Sequence, residues 1–246
     1  MQIIESAQNP KYKLFKSLLG SRGIRQEQLF ILSGKKLVHE AITKFPENIL
    51  WEIGSPESQS VSGLVDEKVI QLPNALFKEL DQLGTHYNLL VMKLPEMHQG
   101  DLTLQPQSAE LILPLSDPGN LGAMIRSAVA FGVKKIWLTK EAAHPFLPKA
   151  IKASSGACFL AEFYVAPSIH EIKSHCIALD TGGAEIEQFN WPANFRLLVG
   201  EEGKGVPDTI PITTISIAMN PEIESLNATV AMSLALYQWK SHANIL

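Results

Sequence analysis

Residues 111–131 of this chain read LILPLSDPGNLGAMIRSAVAF, and this stretch decides the fold class. The apolar run Leu111–Leu115 predicts a buried strand, and the spacing of apolar residues over Leu121–Phe131 predicts a helix. Between them, residues 117–120 (DPGN) are the types that form turns and helix caps. A strand, a turn and a helix in this order are typical of α/β proteins with a parallel sheet.

The same alternation continues through the C-terminal half. Further apolar runs predict strands at Lys135–Leu138, Ala161–Val165, Cys176–Leu179, Arg196–Val199 and Thr214–Met219. Further helices are predicted at Leu147–Ala153, Ile169–Ser174 and Leu226–Trp239. Strands that are apolar throughout and alternate with helices indicate a parallel sheet covered on both faces. Ligands of such sheets bind outside the carboxyl ends of the strands.

The N-terminal half carries a smaller α/β pattern. Its strands are predicted at Leu29–Leu32, Ile49–Ile53, Val69–Leu72 and Leu89–Met92, and its helices at Tyr12–Leu19, Lys36–Ile42 and Ala75–Leu83. The pattern stops from Pro95 to Ser108, a stretch that contains two prolines, a glycine and three glutamines. We therefore expect one domain over residues 1–95, a linker over 96–107 and a second domain over 108–246.

Charge is distributed unevenly along the 246 residues. The whole chain has a net charge of −4, but residues 1–36 hold seven basic and two acidic side chains, a local charge of +5, which leaves −9 for the remainder. This asymmetry predicts that the N-terminal segment meets a polyanion such as RNA. From charge alone, a solvated basic helix face is an equal alternative.

Composition excludes several classes of protein. The two cysteines, Cys158 and Cys176, offer neither a disulfide framework nor a metal-ligand spacing, and we expect two buried free thiols and no metal site. No apolar run reaches the roughly 18 residues that a membrane span requires, and no apolar signal-peptide core follows the first residues. We expect a cytoplasmic protein without membrane association.

Two segments at predicted strand ends carry polar groups suited to an anionic or sugar ligand. Asn120 lies near a helix N-terminus, where amide donors can hold an anion. Arg126, inside an otherwise apolar helix, is either a structural ion-pair partner, which spacing alone favours, or a phosphate ligand. Residues 197–206 (LLVGEEGKGV) place glycines directly after a strand, where backbone can approach a ligand closely or simply turn. Their spacing matches neither a P-loop nor a dinucleotide-binding fingerprint.

A third segment joins the strand ending at Met219 to the C-terminal helix through residues 225–231 (SLNATVA). Ser225 is the predicted N-cap of that helix. Asn227 and Thr229 are polar groups in its first turn, and capping explains Asn227 less well than Ser225. An apolar stripe follows on one face at Leu226, Val230, Leu234 and Tyr237.

In this order, the three segments resemble the signature motifs of the SpoU (TrmH-like) family of RNA ribose 2′-O-methyltransferases. The pattern DPxNLGxxxRxAxxFG is met by residues 117–132, GxEGxG by 200–205 and SLN[VA][ST]VA by 225–231, so that the resemblance covers about residues 108–241. Three ordered motifs are far more specific than any one of them. The N-terminal half, with Ser6, Asn9, Pro10 and Lys13, resembles the small ribosomal-protein-like RNA-binding domain that many members carry.

The resemblance implies a SPOUT-type parallel sheet with a C-terminal trefoil knot, an N-terminal RNA-binding domain, and a homodimer with the active site at its interface. It also implies S-adenosylmethionine as the methyl donor. The catalytic positions that it implies are Arg126, Asn120, Thr229, Glu202 and Asn227. The cofactor-binding positions are Gly200, Ile217, Met219, Ser225 and Leu226. We assign RNA contacts to Lys11, Lys13, Lys16, Arg22 and Arg25 on the basis of charge.

The sequence departs from the family pattern at four places. Ala218 replaces a usual proline, and Lys152 replaces a common arginine. Ser33 stands before Gly34 where glutamate is frequent, and residues 85–88 (THYN) replace a common TPQG. None of these changes removes a catalytic position, and the last two concern RNA binding.

The expected function is methyl transfer from S-adenosylmethionine to a ribose 2′-hydroxyl of ribosomal RNA. A tRNA substrate is the first alternative, because minimal tRNA members often lack the N-terminal domain, and a non-catalytic RNA-binding protein is the second. A Rossmann-type oxidoreductase is excluded, since no G-x-G-x-x-G follows the first strand of either half. Arg126 either accepts the hydroxyl proton or holds the neighbouring phosphate by a bidentate contact.

Overall fold

The computed structural model describes residues 1–201, 205–210, 212–220 and 222–242. The chain divides into two compact units. The first comprises Met1–Pro95 and His144–Gly156, and the second comprises Glu96–Ala143 and Ala157–Leu246, as far as these are described. The two units are taken separately below.

The regular elements are numbered in chain order. The helices are α1 (Pro10–Ser17), α2 (Ser21–Glu27), α3 (Lys35–Lys44), α4 (Asn74–Leu80), α5 (Pro118–Ala130), α6 (Pro148–Ser154) and α7 (Ala228–His242). The strands are β1 (Gln2–Ile3), β2 (Leu29–Leu32), β3 (Ile49–Gly54), β4 (Val69–Gln71), β5 (Leu89–Lys93), β6 (His98–Gln99), β7 (Ala109–Leu113), β8 (Lys135–Leu138), β9 (Glu162–Val165), β10 (Cys176–Glu185), β11 (Phe195–Leu198) and β12 (Ile212–Ser216).

The first unit is built on a five-stranded sheet of order β1-β4-β3-β5-β2. Strands β1, β4 and β3 are parallel, whereas β5 runs antiparallel to both β3 and β2. Helix α1 supplies Tyr12, Phe15 and Leu18 to the core, where they cluster with apolar side chains of the sheet. Its start is fixed because the Asn9 side chain accepts a hydrogen bond from the Lys11 amide at 2.9 Å.

Helix α2 has no counterpart among the predicted elements. It is short and carries Gly23 at its centre, so no apolar period identifies it in sequence. The glycine is required by packing, because a β-carbon there would lie 2.0 Å from the carbonyl oxygen of Ser17. Close contact between α1 and α2, rather than helix propensity, therefore places this element.

Residues 144–156 belong to the first unit, although the sequence pattern grouped them with the C-terminal half. The Phe146 ring lies 5.0 Å from that of Phe30, centroid to centroid, and the His144 amide donates to the hydroxyl of Ser21. Burial, assisted by the charge of Arg25, lowers the pKa of His144 to about 3. The segment is thus anchored by a neutral, buried imidazole and an aromatic contact.

The second unit contains a seven-stranded sheet of order β12-β10-β11-β7-β8-β9-β6, and every pair in it is parallel. This confirms the predicted parallel α/β sheet. Strand β7 is buried along its whole length, as its apolar run predicts. Helices α5 and α7 pack against each other.

The stretch expected to be a linker, residues 96–107, clusters with the second unit and includes β6, which pairs with β9. Gly100 follows that strand where a β-carbon would lie 2.4 Å from the Trp137 ring. Packing against the tryptophan therefore requires glycine here, and the glycine does not mark a loose connection. The assignment of RNA binding to residues 1–95 and of chemistry to residues 108–246 stays a prediction.

Among the predicted elements whose extent differs from the structure, the three that follow have the largest consequences for the second unit. Where a helix was predicted over Ile169–Ser174, a single 3-10 turn covers Ile169–Glu171, because Ser168 and Glu171 form a capping box around it and the chain is extended again from Ile172. Strand β12 ends at Ser216, so Ile217 and Met219 lie in the loop that follows. Helix α7 begins at Ala228 instead of Leu226.

A buried ion-pair network links the amino-terminal parts of β7, β8 and β11. The Glu110 carboxylate, fully buried, accepts from Arg196 Nε at 2.9 Å and from Trp137 Nε1 at 2.8 Å, and Lys135 Nζ lies 3.1 Å away. Although burial by itself raises the pKa of Glu110, the hydrogen bonds from these partners hold it below its ordinary value. The network lies at the sheet edge opposite the strand ends that carry the motifs, so we assign it to stability.

Candidate functional site

The first motif is shaped by the start of α5. The Asp117 side chain caps this helix by accepting a hydrogen bond from the Asn120 amide at 2.8 Å, and Pro118 occupies the first turn. Both residue types are those favoured at these positions. The cap holds Asn120 in the first helical turn, just beyond the carboxyl end of β7.

The second motif forms a closed loop after β11. The Glu201 amide donates to the Gly205 carbonyl at 2.8 Å, and the Gly205 amide donates back at 3.0 Å. A β-carbon on Gly200 would lie 2.7 Å from the Gly205 carbonyl carbon. The close approach that requires glycine is therefore made within the loop's own backbone, which agrees with the tight-turn alternative that the sequence left open beside a ligand contact. Glu202 lies outside the described residues.

The third motif is capped by Asn227. Its side-chain oxygen accepts from the Thr229 amide at 2.9 Å, and its carbonyl accepts from the Ala231 amide at 2.9 Å. The prediction that Ser225 is the N-cap is wrong, because α7 begins three residues after it. Asparagine and serine are about equally favoured as N-cap residues. The sequence of the motif alone therefore allowed either Ser225 or Asn227 to cap the helix.

These three motifs line one cavity of about 500 Å³ at the carboxyl edge of the sheet. Its wall includes the predicted residues Asn120, Gly200, Ser225, Leu226, Asn227 and Thr229. A smaller cavity of about 170 Å³ shares Leu179, Ser225, Leu226 and Ala231 with it and adds Ile217 and Met219. All the predicted catalytic and cofactor positions that are described, except Arg126, therefore line this pair of cavities.

Two acidic residues line the cavities beside the predicted positions: Glu201, which belongs to the second motif, and Asp180, which no motif contains. Asp180 lines the smaller cavity and Glu201 the larger. The Glu201 carboxylate is largely buried and lies 3.7 Å from His170 Nε2. Asp180 directly follows the apolar run Cys176–Leu179, so applying the strand-end rule to that run would have found it. Together they give the cavities an acidic edge, which suits ribose hydroxyls or a cationic ligand.

Arg126 does not line either cavity. It is exposed on α5, and its guanidinium has no salt-bridge partner among the described residues. The interpretation as a structural ion pair, which spacing alone favoured, is therefore wrong. Six residues separate it from Asn120, or roughly 240° around an α-helix, so the two side chains leave different faces.

The basic side chains assigned to RNA binding differ in their surroundings within the first unit. Lys16 is paired with Glu79 at 2.6 Å, and Lys11 donates to Gln2 and lies 5.6 Å from the Trp51 ring centroid. The other three, Lys13, Arg22 and Arg25, are exposed and have no salt bridge among the residues that are described. Lys16 therefore offers less uncompensated charge than its sequence position implied, and the RNA-binding assignment stays a prediction.

The described residues hold no group of three or more His, Cys, Asp or Glu side chains that could bind a metal ion, and both cysteines are free and buried. None of the helices within the described ranges is long and apolar enough to cross a membrane. The two cavities are lined by apolar side chains, by polar side chains from the first turns of two helices, and by two acidic residues. This combination suits a nucleoside-like ligand beside a polar reaction partner.

Comparison with known proteins gives a family match over residues 111–237, to the SpoU rRNA Methylase family. The chain is 38% identical over 96% of its length to a Syntrophobacter fumaroxidans protein named Ribosomal RNA small subunit methyltransferase G 2. It spans 48% of that protein, whose name therefore describes a chain about twice as long.

Two further similarities extend over nearly the whole of both chains. The 23S rRNA (guanosine(2553)-2′-O)-methyltransferase RlmP of Bacillus subtilis is 29% identical, with 96% of this chain and 98% of that protein covered. The AdoMet-bound rRNA methyltransferase from Sinorhizobium meliloti superposes with a TM-score of 0.76 at 21% identity, over 98% of this chain and 99% of that one. The structural similarity establishes the shared fold.

Proposed function

This chain belongs to the SpoU rRNA methylase family, and from that premise we propose that it transfers a methyl group from S-adenosylmethionine to a ribose 2′-hydroxyl of ribosomal RNA. The observation that carries the proposal is the convergence of three sequence-distant motifs on one cavity of about 500 Å³. The full-length similarity to an rRNA 2′-O-methyltransferase supports the reaction type and favours ribosomal RNA over tRNA.

The cavity residues fit the methyl donor. A combined space of this size lies in the range of about 300–1,000 Å³ typical of small-ligand sites. Leu179, Ile217 and Leu226 provide apolar surface for an adenine ring, and the carboxylates of Asp180 and Glu201 suit ribose hydroxyls and a positive charge. When bound, S-adenosylmethionine supplies a methyl group already activated by its sulfonium charge.

The protein must then position the acceptor hydroxyl, exclude water and allow the proton of that hydroxyl to leave. Asn120 and Thr229 both line the cavity and supply polar groups that can orient a ribose. An arginine stays protonated in proteins, so we assign Arg126 the bidentate phosphate contact beside the target nucleotide and not the role of base. The hydroxyl proton then leaves to that phosphate or to water.

The exposed face of α7 supports a homodimer. Val230, Leu234 and Tyr237 keep 48%, 43% and 54% of their surface exposed, although they form the apolar stripe of the helix. A second copy of the chain would cover them. A dimer would also explain why Arg126 is exposed and lines neither cavity of its own chain. At such an interface, Arg126 of one copy would contact the RNA bound at the cavity of the other copy.

We predict that Val230→Asp combined with Leu234→Asp converts the protein from a dimer, at about twice the chain mass of 27.1 kDa, to a monomer. The free-energy cost of transferring a carboxylate from water into an apolar interface exceeds the stabilisation from the contacts that remain there. Light scattering at micromolar concentration measures the change. Leu160→Asp, at a leucine that is 62% exposed, is the matched control and should remain dimeric. A wild-type monomer would contradict the dimer.

The proposed reaction is tested with methyl-labelled S-adenosylmethionine and separate ribosomal RNA and tRNA substrates. We expect label in ribosomal RNA, recovered as a 2′-O-methylnucleoside that resists alkaline cleavage, because alkali needs a free 2′-hydroxyl. Label in tRNA alone would favour the tRNA alternative. RNA binding without transfer, and without calorimetric binding of the donor, would favour a non-catalytic protein.

Three finer features follow from the same premise. Family membership supports a trefoil knot in the C-terminal region, where α7 returns to pack against α5 after β12. The basic start of the chain supports an RNA-binding role for the N-terminal domain. Action on ribosomal RNA supports a cytoplasmic location.

A further inference from the structure

A segment of β10 that belongs to none of the three motifs also reaches the cavities of the second unit. Leu179 and Ala184 of β10 both lie opposite Ile215 of β12, so residues 180–183 (DTGG) are left out of the pairing between these strands. We call these four residues the β10 bulge. Strand β10 lies between β12 and β11 in the sheet, and these two strands precede the third and the second motif. The β10 bulge therefore stands between two strand ends that carry motifs.

The β10 bulge is fixed by its packing on β12. A β-carbon on Gly183 would lie 2.5 Å from the backbone nitrogen of Ile215, so this approach requires glycine. The Ser216 hydroxyl donates a hydrogen bond to the Gly183 carbonyl at 2.9 Å. Bulges change the direction in which a strand presents its side chains, and they are frequent beside active sites. These contacts hold the bulge, and with it Asp180, at the carboxyl edge of the sheet.

Asp180 stands at the rim of the smaller cavity. It is exposed, whereas the other described residues that line this cavity are apolar except for Ser225. A carboxylate carries only hydrogen-bond acceptors, so it selects ligand groups that donate. The smaller cavity therefore combines apolar surface with a charged acceptor at its edge. Few polar groups in a mainly apolar site are what fixes the orientation of a small ligand.

We propose that Asp180 is a specificity-determining residue of the donor site, whose carboxylate accepts hydrogen bonds from the 2′- and 3′-hydroxyls of the ribose of S-adenosylmethionine. The proposal rests on the proposed function, because that function supplies the ligand. The two oxygens of a carboxylate can accept one hydrogen bond from each of two neighbouring hydroxyls. Asp180 then distinguishes a ribonucleoside ligand from one that lacks these hydroxyls.

The order of groups in the donor brings its ribose to Asp180. The larger cavity holds Asn120 and Thr229, which we assign to the acceptor, so the sulfonium and its methyl group belong there. The smaller cavity is mainly apolar and suits the adenine ring. The ribose links adenine to sulfur and therefore lies where the two cavities meet. Leu179 lines both cavities, and Asp180 follows it directly in the chain.

The test measures ligand binding by calorimetry on the wild type, on Asp180→Asn and on a control. The control is Glu187→Gln, which also removes one negative charge, at an exposed residue of the second unit that lines neither cavity. The ligands are S-adenosylmethionine and S-adenosylhomocysteine, which has the same nucleoside but an uncharged sulfur. Two analogues of S-adenosylhomocysteine complete the set: its 2′,3′-dideoxy form and its inosine form, which lacks the adenine amine.

We expect Asp180→Asn to bind S-adenosylhomocysteine about tenfold more weakly than the wild type, because hydrogen bonds to a charged group contribute more than those to a neutral one. The loss should be the same for S-adenosylmethionine and for the inosine form, since both keep the ribose hydroxyls. For the dideoxy form, the wild type and Asp180→Asn should bind equally, because the groups that Asp180 recognises are absent. Glu187→Gln should bind every ligand as the wild type does.

Three results would overturn the assignment of Asp180 and leave the proposed function intact. The first is unchanged affinity of Asp180→Asn for S-adenosylhomocysteine, and the second is an equal loss of affinity for the dideoxy form. The third is a loss that is confined to S-adenosylmethionine or absent for the inosine form, since Asp180 would then recognise the sulfonium charge or the adenine amine. A wild-type protein that binds neither S-adenosylmethionine nor S-adenosylhomocysteine would remove the proposed function and this inference together.

Discussion

Arg126→Ala is expected to reduce methyl transfer by about 10²-fold or more while leaving the fold and S-adenosylmethionine binding near normal. The side chain is exposed, and it has no salt bridge among the described residues, so its removal breaks no contact of the folded chain. It also lies outside the cavity wall that we assign to the methyl donor. The loss would therefore fall on positioning the RNA phosphate.

Three measurements on the same protein preparation separate a loss of RNA positioning from a loss of fold or of cofactor binding. They are a methyl-transfer assay, a melting curve and calorimetry with S-adenosylmethionine. Lys134→Ala, which removes one charge from an exposed site of the second unit, is the control and should retain activity. Arg126→Lys keeps the charge but loses the planar fork, and we expect it to recover only part of the rate. A melting temperature of Arg126→Ala far below that of the wild type would restore the structural role for this residue.

Glu110→Ala is expected to lower the free energy of unfolding by about 3–5 kcal/mol. Arg196 is 3% exposed, and its Nε would be left buried without its carboxylate. The Trp137 indole would lose its acceptor as well. Lys135 can still reach water, since a quarter of its side chain is exposed, so the cost falls mainly on the arginine.

Denaturant unfolding of Glu110→Ala and of Glu162→Ala, an exposed glutamate on β9, provides the comparison. The free energy of unfolding of the Glu162→Ala control should lie within about 0.5 kcal/mol of the wild-type value. Replacing Glu110 and Arg196 together by leucine and methionine should recover most of the loss, because no unpaired charge then remains buried. A Glu110→Ala variant within about 1 kcal/mol of the wild type would contradict the importance of the network.

Part of the candidate site could be read from the sequence because its motifs follow strand ends. The apolar runs of β7 and β11 end immediately before the first two motifs, and parallel strands bring their carboxyl ends to one edge. Leu226, Asn227 and Thr229 were identified through the third motif and line the same cavity. Asp180 was missed because no motif contains it, although it stands at the end of an apolar run.

Local physical chemistry thus determined the fold class and the positions of most strands, whereas the residues at the cavity came from the resemblance of three motifs to those of a known family. Hydrophobic period, turn residues and motif spacing are properties of neighbouring positions, so they can be read along the chain. Helix boundaries were less well determined, because Ser225 and Asn227 are both good caps and only the packed helix selects one of them.

Only the tertiary structure decided which distant residues meet. Residues 144–156 join the first unit through Phe30 and Ser21, and Glu110 meets Arg196 across 86 positions. The start of α3 likewise meets Lys152 around one cavity of the first unit. Such contacts depend on how whole elements pack and on which buried polar groups find partners, and a local pattern carries no information about either. For the same reason, the exposure of Arg126 could be known only once the rest of α5 was buried.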